Sequence, residues 1–272
     1  MHRSLPCLLA LALWGLLLAA PGAPARAQAL GAAEDVISVA LRPGWREADG
    51  RHVAALDVRL RPGWKTYWRA AGSLGISPRL DWRGSGNLAA ASPAWPTPEA
   101  FREAGGLSIG YDRDFVLPIV VRPVDPAAPV RLRLSVDLGV CEAICVPARV
   151  AVEGVLPPRG ADDPAIRAAL RDRPRRAGGA ARCRLAPEGG ALALTAEMEL
   201  PRLAADEVVV FEPAEPGTWA GDAAVTRHGG RLSATTRLSA RGGAPAALDR
   251  GRLRITVLGG GRGVEFAGCA GG

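Results

Sequence analysis

Residues 130–155 read VRLRLSVDLGVCEAICVPARVAVEGV. Val130, Leu132, Leu134, Val136 and Leu138 alternate with Arg131, Arg133, Ser135 and Asp137, the period-two pattern of a strand with one buried face. Past Pro147, the positions of Val150, Val152 and Val155 predict a strand returning beside it. Cys141 and Cys145 stand between the two. Residues i and i+4 on a straight strand lie about 13 Å apart, whereas a disulfide needs Cα atoms roughly 4.4–6.8 Å apart. A bridge therefore requires the backbone to turn or bulge between them. A small ring across a bent backbone suits thiol–disulfide exchange better than permanent stapling.

Working outward, the first half reads as β throughout. Ala54, Leu56, Val58 and Leu60 share one face of a strand, as do Phe115, Leu117, Ile119 and Val121, with Pro118 predicting an edge or a bulge there. Between these two runs lies a Gly-, Pro- and aromatic-rich stretch holding Trp64, Tyr67, Trp68, Trp82, Trp95, Phe101 and Tyr111, read mainly as packing aromatics. Pro93, Pro96 and Pro98 place an excursion from the sheet inside it. Pro157-Pro158-Arg159-Gly160 reads as a linker, and Asp162-Asp163-Pro164 as a helix start. The second half returns to short strands: 191–200, 207–211, 225–227 with 231–238 around His228-Gly229-Gly230, 252–258 and 264–266. The expected fold is all-β, a β-sandwich followed by a second, smaller one.

His2 and Arg3, an apolar run from Leu8 to Ala20 and the Ala25-Arg26-Ala27 cleavage pattern predict an export signal over 1–27. The expected mature protein is periplasmic and soluble. Losing the signal removes Cys7 and leaves Cys141, Cys145, Cys183 and Cys269, which permit three pairings. Proximity favours Cys141–Cys145, which leaves Cys183–Cys269 as a structural bridge across the C-terminal half. The formal charge is +7, and removing Arg3 and Arg26 lowers it by two to +5. Lys65 is the lone lysine. No basic run interleaves with aromatics, which argues against nucleic-acid binding.

The chemistry stays open among several readings at this level. A thiolate with a resolving thiol close behind it performs disulfide exchange. A structural bridge in a non-catalytic binding module fits the same spacing. Two thiolates also suit Cu(I), with a link to copper tolerance, although His52, His228 and Met198 are distant in sequence from the cysteines. Acid–base hydrolysis has little support, because neither His52 nor His228 neighbours a nucleophile motif. No cofactor is implied.

Gly63-Trp64-Lys65-Thr66-Tyr67-Trp68-Arg69, then Gly72 and Gly75-Ile76-Ser77-Pro78, resemble the opening of the periplasmic N-terminal domain of the DsbD and ScsB membrane disulfide reductases. Trp95-Pro96-Thr97-Pro98-Glu99-Ala100-Phe101, Gly110-Tyr111, Leu117-Pro118 and Cys141-Glu142-Ala143-Ile144-Cys145-Val146-Pro147 continue the resemblance in order, over about residues 40–157. It implies an immunoglobulin-like sandwich over 28–157; the residue pattern places a linker with a short helix over 158–182 and a C-terminal β domain over 183–272 after it. It implies that Cys141 and Cys145 are the redox pair, passing electrons from a membrane-embedded reductase or thioredoxin-like donor to periplasmic thiol proteins. The family's aromatic cap over the cysteines would fall to Phe101 or Tyr111, although Arg102–Gly106 contains no aromatic. The cysteine spacing is closer to the ScsB-like branch. The family continues into membrane and thioredoxin-like domains that do not appear before Gly272, so a separate donor protein is expected. Glu142 beside Cys141 favours Cys145 as the attacking thiol.

Overall fold

The computed structural model describes residues 35–189, 191–243 and 246–271. The predicted export signal and Cys7 lie outside the described residues. In chain order the first half holds β1 (Ile37–Arg46), β2 (His52–Leu60), β3 (Lys65–Tyr67), β4 (Arg79–Asp81), β5 (Leu88–Pro93), β6 (Glu99–Glu103), β7 (Gly106–Tyr111), β8 (Phe115–Pro123), β9 (Val130–Cys141) and β10 (Cys145–Leu156). One sheet has the order β1-β2-β8-β5; the other runs β10-β9-β3-β7-β6, with β4 also paired to β9. Every pairing in this half is antiparallel. The inward residues of the two sheets, among them Leu56, Leu117, Ile119, Leu134, Val136 and Val140, form one core with Trp68 and Trp95. This is the immunoglobulin-like sandwich that the family resemblance implies.

Pro118 departs from the expectation of an edge, since β8 lies between β2 and β5. A strand residue aims its N–H and C=O at the same neighbour, and the Pro118 carbonyl accepts from Ala94 N just past the end of β5. The missing proline donor therefore faces the point where that strand stops. His52 is fully buried at the start of β2, its Nε2 lies 2.5 Å from the Pro43 carbonyl, and its Nδ1 has no partner.

The short helix forms as expected: α1 (Pro164–Arg171) opens on Asp163, whose carboxylate accepts from Ala165 N and Ile166 N. Capping of this kind contributes about 1 kcal/mol. The helix is not a free linker. Ile166 packs with Trp45, Val53 and Ala55 on the outer face of the first sheet, which explains why β2 is apolar on both faces.

The second half contains β11 (Arg175–Arg176), β12 (Ala181–Glu188), β13 (Ala191–Glu199), β14 (Val208–Glu212), β15 (Thr218–Ala220), β16 (Ala224–His228), β17 (Arg231–Ala240), β18 (Arg254–Gly259), β19 (Arg262–Ala267) and β20 (Cys269–Gly271). They build two sheets, β11-β19-β18-β14 and β15-β17-β13-β12-β20, with β16 on β17. The second sandwich is not insulated from the first. Val208 and Val210 of β14 and Leu258 of β18 join the first core, while Val209 and Phe211 face the second. A strand buried on both faces reads as the continuous apolar run Val208-Val209-Val210-Phe211.

Candidate functional site

The site is built on the outer face of the five-strand sheet path, at the end of the β9–β10 pair. Cys141 closes β9, Cys145 opens β10, and the two are register partners flanking Glu142-Ala143-Ile144. Glu142 N donates to the Ile144 carbonyl across this turn. The turn supplies the bend that the spacing demands, bringing the Cα atoms to 4.1 Å, and the two sulfurs are bridged. Their surroundings differ. Cys141 is 2% exposed, whereas Cys145 is exposed to solvent.

Pleat geometry decides what joins them. Lys65 of β3 stands directly across the ladder from Cys141, so Tyr67, two residues on, points to the same face. The Tyr67 hydroxyl lies 2.7 Å from Cys141 Sγ and 3.4 Å from Cys145 Sγ. Its ring needs Gly139. A Cβ there would sit 3.1 Å from Tyr67 Cε2, and also 3.1 Å from Ile76. Tyr67, Ala71 and Cys141 form a small buried cluster. Burial, together with the Glu103 charge, raises the Tyr67 phenol above its ordinary range. The phenol is therefore protonated at neutral pH and able to donate to sulfur.

The β6–β7 hairpin brings a third set. Glu103 pairs with the Lys65 ammonium and accepts from Ser108 Oγ at 3.1 Å, and the Lys65 hydrogen bond draws the Glu103 carboxyl below its usual range. Lys65 Nζ also lies over the Phe101 ring, 5.3 Å from its centre. Phe101 pairs with Ser108 and Tyr67 with Gly110, so Phe101 shares the sulfur face.

Tyr111 does not. It pairs with Thr66, one residue out of phase with Tyr67, and points into the core. There it stacks on Phe115 at 3.9 Å and donates its hydroxyl to the Pro96 carbonyl at 2.9 Å. A single step along the pleat thus removes Tyr111 from any covering role and leaves Phe101 as the aromatic on the cysteine side. Cys183 and Cys269 form a separate bridge in the second sandwich, linking β12 to β20, with Cys183 buried.

In the sequence Tyr67 looks like a packing aromatic, and Lys65, Gly139, Glu103 and Ser108 carry no functional signal of their own. The Lys65-x-Tyr67 alternation puts two polar-tipped side chains on one face of a short strand. Only the pairing of β3 with β9 shows that this is the cysteine face. Among the described residues no group of three or more His, Cys, Asp or Glu is placed to hold a metal ion.

Fold and site define the class: an immunoglobulin-like sandwich with a disulfide across the end of a strand pair and a buried phenol against its sulfurs. Residues 36–157 match the family described as "Thiol:disulfide interchange protein DsbD, N-terminal". The leading sandwich is accordingly similar to a DsbD/ScsB-type N-terminal domain over those residues. The crystal structure of the N-terminal periplasmic domain of ScsB from Proteus mirabilis is similar, with a TM-score of 0.61 and 25% sequence identity, over 86% of this chain and 92% of that one. A likeness of that extent runs well past residue 157, so the second sandwich takes part in it. No curated protein matches the chain in sequence.

Proposed function

We propose that the protein exchanges disulfides through Cys141 and Cys145, relaying electrons in the periplasm between a membrane reductase or thioredoxin-like donor and thiol proteins. The observation that carries this reading is the asymmetry of the bridge: one exposed cysteine, one buried cysteine, and a protonated phenol against both sulfurs. In the reduced form Cys145 gives up its proton to solvent or to the neighbouring Cys141 sulfur and attacks a client disulfide, making an S–S bond to one client sulfur and releasing the other as thiolate. Cys141 then attacks Cys145 Sγ, re-forms the bridge and frees the client as a dithiol. A donor dithiol reverses the sequence and reloads the pair. Exposed apolar side chains close to the sulfurs support docking of a partner protein: Ile144 in the turn, and Ile76 packed beside Tyr67. Among the described residues no helix is long and apolar enough to cross a membrane.

Redox titration with mass-spectrometric mapping tests this reading. The Cys141–Cys145 bridge is expected to titrate above about −300 mV, the level below which structural bridges commonly lie. Cys141→Ser should trap mixed disulfides through Cys145, and Cys145→Ser should trap few. A bridge inert to dithiols, or trapping confined to Cys145→Ser, overturns the assignment.

A further inference from the structure

One cationic residue pairs with Cys141 across the ladder, and it is the only lysine in a chain with 34 Lys and Arg residues. Lys65 faces Cys141 across the β3–β9 ladder, where facing residues put their Cβ atoms about 4.5–5.5 Å apart. A four-carbon stem spans that gap. Its side chain is 19% exposed, so solvent screens its charge incompletely. Glu103 holds the ammonium from the other side, and the Phe101 ring lies under it. Lysine differs from arginine here in kind: a compact point charge on a flexible stem moves between two anions, whereas a guanidinium fork locks onto one carboxylate. The other charged or titratable groups facing the sulfurs are few. Among the described residues the Tyr67 hydroxyl from β3 touches both sulfurs, and Glu142 follows Cys141 in the turn with its carboxylate beside Gly63, while Ala70–Pro78, the segment that packs over Tyr67, has no charged residue. Asp222 of the second sandwich is engaged by Ser73.

We propose that Lys65 and Glu103 form an electrostatic control pair for the sulfur site, Lys65 stabilising the thiolate that reduction leaves on Cys141 and Glu103 holding that cation back. This rests on the exchange reading and deepens it. When a donor thiolate attacks the exposed Cys145 Sγ, a donor–Cys145 bond forms, the Cys145–Cys141 bond breaks, and the electron pair leaves on Cys141 Sγ. The donor's second thiolate then attacks the donor's own sulfur in that mixed disulfide. It expels Cys145 as thiolate, which takes a proton from solvent, and the donor departs oxidised. The charge appearing on buried Cys141 meets the Tyr67 hydroxyl and, across the ladder, the Lys65 ammonium. The Glu103 carboxylate competes for the same cation, so the two side chains act with opposite sign.

The test uses the whole mature chain, with dithiothreitol as reductant and thiolate absorbance near 240 nm as the titration signal. Lys65→Met is expected to raise the first apparent thiol pKa of the reduced pair by about one unit and to slow reduction of the bridge at pH 7 by about tenfold. Glu103→Gln is expected to lower that pKa and speed reduction. Lys65→Arg, its fork held by Glu103, should restore the wild-type titration only in part. A structural role predicts instead that both neutralising variants shift reactivity in the same direction. That result, or shifts below about twofold in both, overturns the control pair while leaving exchange intact. If Lys65→Met fails to fold, Glu103→Gln alone decides, since the proposal requires it to accelerate reduction. A wild-type bridge that resists dithiothreitol sinks both this proposal and the exchange reading.

Discussion

At the residue scale, the two sulfurs differ in what surrounds them. Under the proposed exchange, exposure makes Cys145 the residue a partner reaches, and burial beside a phenol makes Cys141 the leaving group. The adjacent Glu142 had pointed the same way from sequence, but burial is the stronger cause, because exchange requires in-line access to a sulfur. Tyr67 donates its hydrogen bond to whichever sulfur becomes charged, and a hydrogen bond to an ion contributes about 1.5–3 kcal/mol. Tyr67→Phe is therefore expected to slow reduction of the bridge by at least about tenfold, following the rule that 1.4 kcal/mol is a factor of ten. The phenyl ring still fills the space over Gly139, so thermal unfolding should stay within a few degrees of wild type. Stopped-flow reduction by dithiothreitol beside a melting curve checks both halves, and unchanged kinetics would remove the phenol from the chemistry. The cysteine pair was legible in the sequence because two sulfurs five positions apart inclusive announce themselves. Tyr67 was not, because it stands 74 residues from Cys141 and looks like any packing aromatic until β3 is laid against β9.

At the scale of elements, the alternation in β9 placed Leu138 and Val140 inward and hence Gly139 and Cys141 outward. What alternation does not contain is which strand lies alongside. That pairing turned Lys65 and Tyr67 into neighbours of the bridge and separated Phe101 from Tyr111, although both belong to the same hairpin. The buried His52 in β2 adds a pH dependence of its own. Burial lowers its pKa below the ordinary value, with the Pro43 hydrogen bond opposing and Arg46 adding to the shift. Above about pH 6.5 the ring is neutral in both folded and unfolded chains. Below that value the unfolded chain binds the proton more readily, so stability falls as pH drops toward the lowered folded value. Denaturant unfolding at pH 7.5 and 5.5 should show the loss, with a slope of at most about 1.4 kcal/mol per pH unit from this group. His52→Gln should flatten that part of the curve. An unchanged slope in the variant would assign the acid sensitivity elsewhere.

At the scale of the molecule, the two sandwiches are joined by more than a connecting segment. β14 contributes to both cores. Arg69, which follows Trp68 in the site-bearing sheet, reaches Glu212 at 2.8 Å and Glu265 at 2.7 Å in the second sandwich, and Ser73 hydrogen-bonds Asp222. The segment packed over Tyr67 is thus anchored at Ser73 to the C-terminal half. The two bridges play different mechanical parts. Chain-entropy reasoning gives about 4.6 kcal/mol for a loop as long as that between Cys183 and Cys269, and about 1.9 kcal/mol for the short ring, their sequence separations being 86 and 4. The double variant Cys183→Ala/Cys269→Ala is expected to lower the melting temperature clearly, and Cys141→Ala/Cys145→Ala much less. Calorimetry of the two proteins decides; equal large losses would cast the short bridge as a staple.

Period-two alternation, turn residues and the motifs around the cysteines determined, without coordinates, an all-β chain with an immunoglobulin-like leading domain and one closely spaced sulfur pair. These are local properties, written in side-chain order along each strand. Which sulfur faces solvent, which aromatic shares its face, and which cation and carboxylate attend it were decided by the lateral order β10-β9-β3-β7-β6. Strand neighbours are chosen by burial summed over two sheets, and no single stretch of chain contains that sum.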